Sequence, residues 1–206
     1  MNRYLCLDVG NVLGRLDMKP FIKALEFYTG SSEELSYEFL AHIQKVQDLG
    51  LYSIRNELKY KFNVDSNVLE ALLESWNQIL TPDERALNFY ANMIDKFGLR
   101  VMIVSNVGIE HSKNFDVIFD KHSFFKKAIK HYSCFVGARK PTPVYYHLLN
   151  EMYPEFRGAV YVDDMVENLE MGERFGFRTH HLNLSEIAPN SIELERALCS
   201  LEFAIT

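Results

Sequence analysis

Residues 4–9 (YLCLDV) form one apolar run that reads as a buried parallel strand, and from residue 19 to about 80 no second such run appears. Apolar residues in that stretch recur at helical spacing, as in Phe21, Leu25 and Tyr28, and again in Val68, Leu69, Leu72, Leu73 and Trp76. Gly30-Ser31-Ser32, Gly50 and Asp65-Ser66 punctuate it into about four helices. Beyond residue 80 strand and helix alternate. Strands are expected at 100–104 (RVMIV), 128–133, 159–162 (AVYV) and 178–182. Thr81 reads as a helix cap with Pro82 at the first helical position and Gly98 as the stop; Pro141 opens another helix, and Gly176 ends a third. This order predicts an α/β fold: a Rossmann-like parallel sheet with helices on both faces, plus a small all-helical cap inserted after the first strand. Residues 1–18 and 81–206 would form the core and 19–80 the cap, joined at two nearby points.

The chain's 206 residues suffice for one domain with a small insert, and 48% hydrophobic with 24% charged residues excludes disorder. A net charge of -6, with Lys and Arg scattered, argues against a nucleic-acid groove. No apolar run is long enough for a membrane span, and the first residues lack a signal-peptide pattern, so a cytoplasmic protein without a membrane partner is expected. Cys6, Cys134 and Cys199 show no metal spacing and read as reduced, mostly buried thiols.

Ligands of open parallel sheets bind outside the carboxyl ends of the strands. There the sequence sets Asp8, then Ser105 and Asn106, then Lys140 in GARKP, then Asp163 and Asp164. Carboxylates crowded at one edge would take up protons unless a cation sat among them, and hard oxygen ligands suit Mg²⁺. A lysine and a hydroxyl beside such an ion offer donors to phosphate, which makes a phosphoryl-transfer site. Asp8 is the best placed nucleophile.

LCLDVGNVL, VMIVSN, GARKPTPVYYHLL and YVDDMVENLEMGERFGF resemble, in order and spacing, the four motifs of the haloacid dehalogenase-like (HAD) hydrolases. DVGNV and RKP resemble the branch that includes hexose-1-phosphate phosphatases. The resemblance implies a Mg²⁺-dependent phosphatase acting on a small phosphorylated metabolite, a sugar phosphate first, as a monomer or weak homodimer. It implies Asp8 as nucleophile, with Lys140 beside it, and Asp163 and the Gly10 carbonyl as metal ligands. Asp164 would act on the ion directly or through water. Ser105, the amide of Asn106 and Lys140 would hold the phosphate, and Asn168 would support the metal-side loop. The alternatives are a non-catalytic phosphate-binding or regulatory descendant and a haloacid dehalogenase, which uses the same Asp without metal.

One departure matters. The usual first motif is Asp-x-Asp, whose second Asp protonates the leaving oxygen, and here that position is Gly10. A general acid contributes about 10²–10⁴ in rate, so substrates with an acidic leaving alcohol should suffer least, unless a residue such as Asp17 supplies the proton. Candidates for substrate choice are Arg15, Asp17, His42, Gln44, Asp48, Tyr52 and Arg55. The histidines read as structural or surface residues, and Tyr145-Tyr146, Phe124-Phe125 and Trp76 as packing.

Overall fold

The computed structural model describes residues 4–205. In chain order the elements are β1 (Tyr4–Leu7), β2 (Gly14–Leu16), α1 (Lys19–Thr29), α2 (Glu33–Asp48), α3 (Ile54–Phe62), α4 (Ser66–Asn77) and β3 (Leu80–Pro82). There follow α5 (Glu84–Phe97), β4 (Arg100–Ser105), α6 (Ile109–Ile118), α7 (Ser123–Lys127), β5 (Ile129–Tyr132), α8 (Ser133–Val136) and α9 (Pro143–Met152). The last are β6 (Val160–Asp163), α10 (Val166–Arg174), β7 (Arg178–His181) and α11 (Ile192–Ile205).

Five strands form one sheet in the order β5-β4-β1-β6-β7, every neighbouring pair parallel. Both faces are covered, which is why the three central strands β4, β1 and β6 read as near-continuous apolar runs. Leu5, Leu7, Val101, Ile103, Val160 and Val162 pack with α5, α7 and α11 on one face. Cys6, Met102, Val104 and Tyr161 pack with α9 and α10 on the other. Cys6 and Cys134 are buried, Cys199 is exposed, and all three are free thiols.

The four helices α1–α4 bury a core of their own around Phe21, Leu25, Ile43, Leu58, Leu72 and Trp76, with the Phe21 and Trp76 rings 4.8 Å apart. Ser32, Ser53 and Asp65 cap α2, α3 and α4 through their side-chain oxygens, at the breaks expected from the sequence. No helix among the described residues is long and apolar enough to cross a membrane.

Two helix starts differ from expectation. Thr81 and Pro82 do not open a helix: they belong to β3, which pairs antiparallel with β2 (Leu16↔Leu80, Gly14↔Pro82). The helix begins at Glu84, capped by Asp83, whose carboxylate accepts from the Ala86 amide at 3.1 Å. Three-residue strands carry too little periodicity to be read, and a Thr-Pro before acids mimics a cap. Likewise α9 starts at Pro143 rather than Pro141.

The helical insert is thus entered and left through one two-stranded ribbon. It also touches the core elsewhere. His111 and Asn114, one turn apart on α6, bond to the Trp76 and Asn77 carbonyls at the end of α4 at 2.9 and 3.2 Å. After α2 the chain turns at Gly50 (φ 71°), where any Cβ would collide with the Cys134 carbonyl.

Candidate functional site

Because β4, β1 and β6 are adjacent at the centre of the sheet, their carboxyl ends bring Ser105, Asp8 and Asp163 to one edge. Lys140 arrives from the loop before α9 and is 2% exposed. Its ammonium reaches three oxygens: Val104 O at 2.9 Å, Asp163 Oδ2 at 2.6 Å and Asp8 Oδ1 at 3.0 Å. Burial alone would lower its affinity for a proton, but Asp163 and Asp8 hold it well above the usual lysine range. The loop is clamped by Asn106, whose amide donates to Lys140 O at 2.9 Å while its oxygen accepts from Lys140 N at 2.8 Å.

Asp8, Asp163 and Asp164 each bring one carboxylate oxygen within 4.8 Å of the others. Burial, with Asp163 and Asp164 adding repulsion, pushes Asp8 up to about 7 against the opposing pull of Lys140 and the Val9 amide. That is the behaviour of a carboxylate set short of positive charge, and a hard divalent cation such as Mg²⁺ fits it.

The three carboxylates are not equivalent. Asp163 is fully buried, and each of its oxygens accepts twice: Oδ2 from Lys140 and the Tyr161 hydroxyl, Oδ1 from the Met165 amide at 2.9 Å and Asn168 Nδ2 at 2.8 Å. Asp164 accepts from Asn11 Nδ2 at 2.9 Å through Oδ2. Burial holds Asp164 above its ordinary range, against the Asn11 hydrogen bond and with Asp163 adding repulsion. Asn11 adopts φ 52°, and its own side-chain oxygen accepts from the Leu16 amide at 3.0 Å, so this one residue ties the first loop to Asp164.

A cavity of about 400 Å³ opens above these groups, lined on the core side by Asp8, Gly10, Ser105, Lys140, Asp164 and Asn168. Insert residues Gln44, Gln47, Asp48 and Trp76 form the opposite wall. At position 10 a Cβ would lie 2.5 Å from Leu16 Cδ1, so the space an acid side chain would take holds a methyl group.

Of the residues singled out for substrate choice, Gln44 and Asp48 line this cavity. The others are elsewhere. Arg15 pairs with Asp83 Oδ2 at 3.0 Å and donates to the Leu184 and Ile187 carbonyls, a tie between the ribbon and the core. Asp17 is exposed, does not line the cavity, and accepts from the Lys19 amide at 3.0 Å. Arg55 forms a bidentate pair with Glu70 at 2.6 and 3.1 Å on a neighbouring groove, His42 bonds Glu57 at 3.1 Å, and Tyr52 is exposed. Residues not singled out include Arg139, whose Nη2 lies 3.0 Å from Asp48 Oδ2, and Asn11, Gln47 and Tyr161. The GARKP and DVGNV motifs contain Arg139 and Asn11, but nothing in the sequence marks Gln47.

No protein-family model matches the chain, and no curated protein sequence matches it significantly. Solved structures do. The magnesium complex of a HAD family enzyme from Bacteroides thetaiotaomicron superposes with a TM-score of 0.76 at 19% identity, covering 94% of this chain and 98% of that one. A HAD-like hydrolase from Porphyromonas gingivalis gives 0.68 at 18% identity, over 98% of both chains. The L-2-haloacid dehalogenase of Xanthobacter autotrophicus gives 0.59 at 20% identity, over 99% of this chain and 87% of that one. The fold is the HAD-like Rossmann fold.

Proposed function

We propose that this chain is a Mg²⁺-dependent phosphatase of small phosphorylated metabolites, a sugar phosphate being the leading substrate class, working through an aspartyl-phosphate at Asp8. The observation that carries this reading is the convergence of Asp8, Asp163 and Asp164 within 4.8 Å around the buried Lys140. The B. thetaiotaomicron enzyme, also solved with magnesium and inorganic phosphate, supports it by likeness of fold.

Asp8, Asp164 and the Gly10 carbonyl would hold the ion, which would neutralise phosphate charge and orient the ester. Asp163, with its acceptor capacity taken up, positions Lys140 and the turn before α10 instead. Asp8 attacks phosphorus, the bond to the leaving alcohol breaks, and water then hydrolyses the aspartyl phosphate. Lys140, its three donors taken by Val104 O, Asp163 and Asp8, favours the ionised nucleophile, aims it and sets positive charge beside the phosphoryl group, while the Ser105 hydroxyl offers a donor to the phosphoryl oxygens. With Leu16 in place of an acid side chain at position 10, the leaving oxygen departs without a carboxylic proton donor from the first loop. Rates should therefore rise with leaving-group acidity, which favours anomeric, acyl and aryl phosphates over alkyl ones.

Crowding by a second carboxylate gains nothing for attack on carbon, which weighs against dehalogenation. The test is hydrolysis of an aryl phosphate with and without Mg²⁺, with Asp8→Asn as control. Metal-dependent turnover abolished by Asp8→Asn is expected; none in the wild type under broad conditions would favour a phosphate-binding protein without turnover.

A further inference from the structure

Orphaned polar atoms gather around the cavity. Gln47 is 2% exposed, lines the cavity, and neither its amide oxygen nor its nitrogen has a partner. Trp76 Nε1 on the same wall, and Arg139 Nε and Asn168 Oδ1 from the core, are also buried and unpartnered. Buried polar groups are satisfied in the great majority of folded proteins, so a cluster of exceptions facing one cavity points to a ligand that completes them.

The position of Gln47 is built rather than incidental. It lies on the last turn of α2, and its side chain rests on Gly108, where a Cβ would stand 2.5 Å from Gln47 Oε1 and 2.9 Å from its Cβ. Gly108 directly follows the Ser105-Asn106-Val107 segment, so the amide is held beside the phosphate end of the cavity. The neighbouring charges cancel. Arg139 Nη2 is 3.0 Å from Asp48 Oδ2, leaving hydrogen-bonding capacity without net charge on this wall.

We propose that Gln47 is the specificity-determining residue of the site, its amide donating to one hydroxyl and accepting from another on an uncharged, hydroxyl-bearing leaving alcohol. The inference rests on the phosphatase reading for its chemistry but makes a separate claim about which alcohol is read and by what. An amide supplies one donor edge and one acceptor edge, which matches adjacent hydroxyls of a polyol. A second phosphate or an amino-acid head group would meet no uncompensated opposite charge here.

The experiment compares kcat/KM for an aryl phosphate, a sugar 1-phosphate, its 2-deoxy analogue and phosphoserine, on wild type and on Gln47→Leu. Gln47→Leu should lower the sugar-phosphate to aryl-phosphate ratio about 10–100-fold. The 2-deoxy substrate should be poorer in the wild type and lose nothing further in the variant, and phosphoserine should be the poorest of the esters. Equal falls on sugar and aryl substrates in a folded variant would overturn the proposal, and so, whether or not the variant folds, would a wild type that treats the 2-deoxy analogue like its parent. Thermal stabilisation by the sugar phosphate, relative to orthophosphate, separates this claim from the phosphatase one. Gln47-dependent stabilisation without turnover would retire the phosphatase and keep Gln47; turnover without sugar preference would do the reverse.

Discussion

Lys140 Nζ donates to Asp163 Oδ2 at 2.6 Å, with the lysine side chain 1% exposed and the aspartate wholly enclosed. The pair is shut away from solvent, and the same ammonium is 3.0 Å from the nucleophile candidate Asp8. Removing one partner of a buried pair costs about 3–5 kcal/mol because the other is left uncompensated.

Lys140→Met should therefore abolish detectable turnover and destabilise the fold by about 3 kcal/mol at pH 8. Without the ammonium, Asp8 shifts further upward, so its cost appears as pH rises and fades as it takes up a proton. Urea denaturation at pH 8 and pH 5 checks this, the deficit being smaller at pH 5.

Asp163 and Asp164 should separate in their effects. Asp164→Asn should weaken Mg²⁺ binding by at least about tenfold with little loss of stability. Asp163→Asn should chiefly destabilise, since it disturbs four hydrogen bonds around a buried carboxylate. Magnesium titrations followed by thermal melting distinguish the two, and equal loss of affinity would return Asp163 to the ligand set.

Asp8, raised to about 7 chiefly by burial, must lose its proton to bind a cation. Magnesium affinity should fall about tenfold per pH unit below about 7 and level off above it. Calorimetry at pH 6.5 in two buffers of different ionisation enthalpy should detect proton release; identical heats in both would contradict it.

His131 is 1% exposed, packs edge-on against Tyr145, and is lowered to about 4 by burial. A depressed pKa means stability present above the unfolded value and lost as pH falls through about 6.5 toward 4. His131→Phe should gain about 3 kcal/mol on the wild type between pH 7.5 and pH 4, read from denaturant melts at each pH.

The sheet and the site were legible in the sequence for one shared reason. Strands buried on both faces are unbroken apolar runs, and Asp8, Ser105 and Asp163 stand where each run stops. The cavity's far wall is legible only in part, through Gln44 and Asp48. Gln47 and Trp76 lie on helices whose register alone does not reveal which side meets the sheet, so the sequence does not separate them from Arg15 and Asp17, which do not line the cavity. The β2–β3 ribbon escaped because its strands are three residues long, and that in turn hid the purchase of Arg15 on Asp83.

That ribbon has a consequence for how such a chain can change. Leu16 and Leu80 are register partners, so everything between them leaves and returns through adjacent positions. Lengthening, shortening or exchanging the intervening helices leaves the order and spacing of the five parallel strands untouched. The cavity's far wall is thereby free to diverge as a cassette while the strand ends beneath it keep their places.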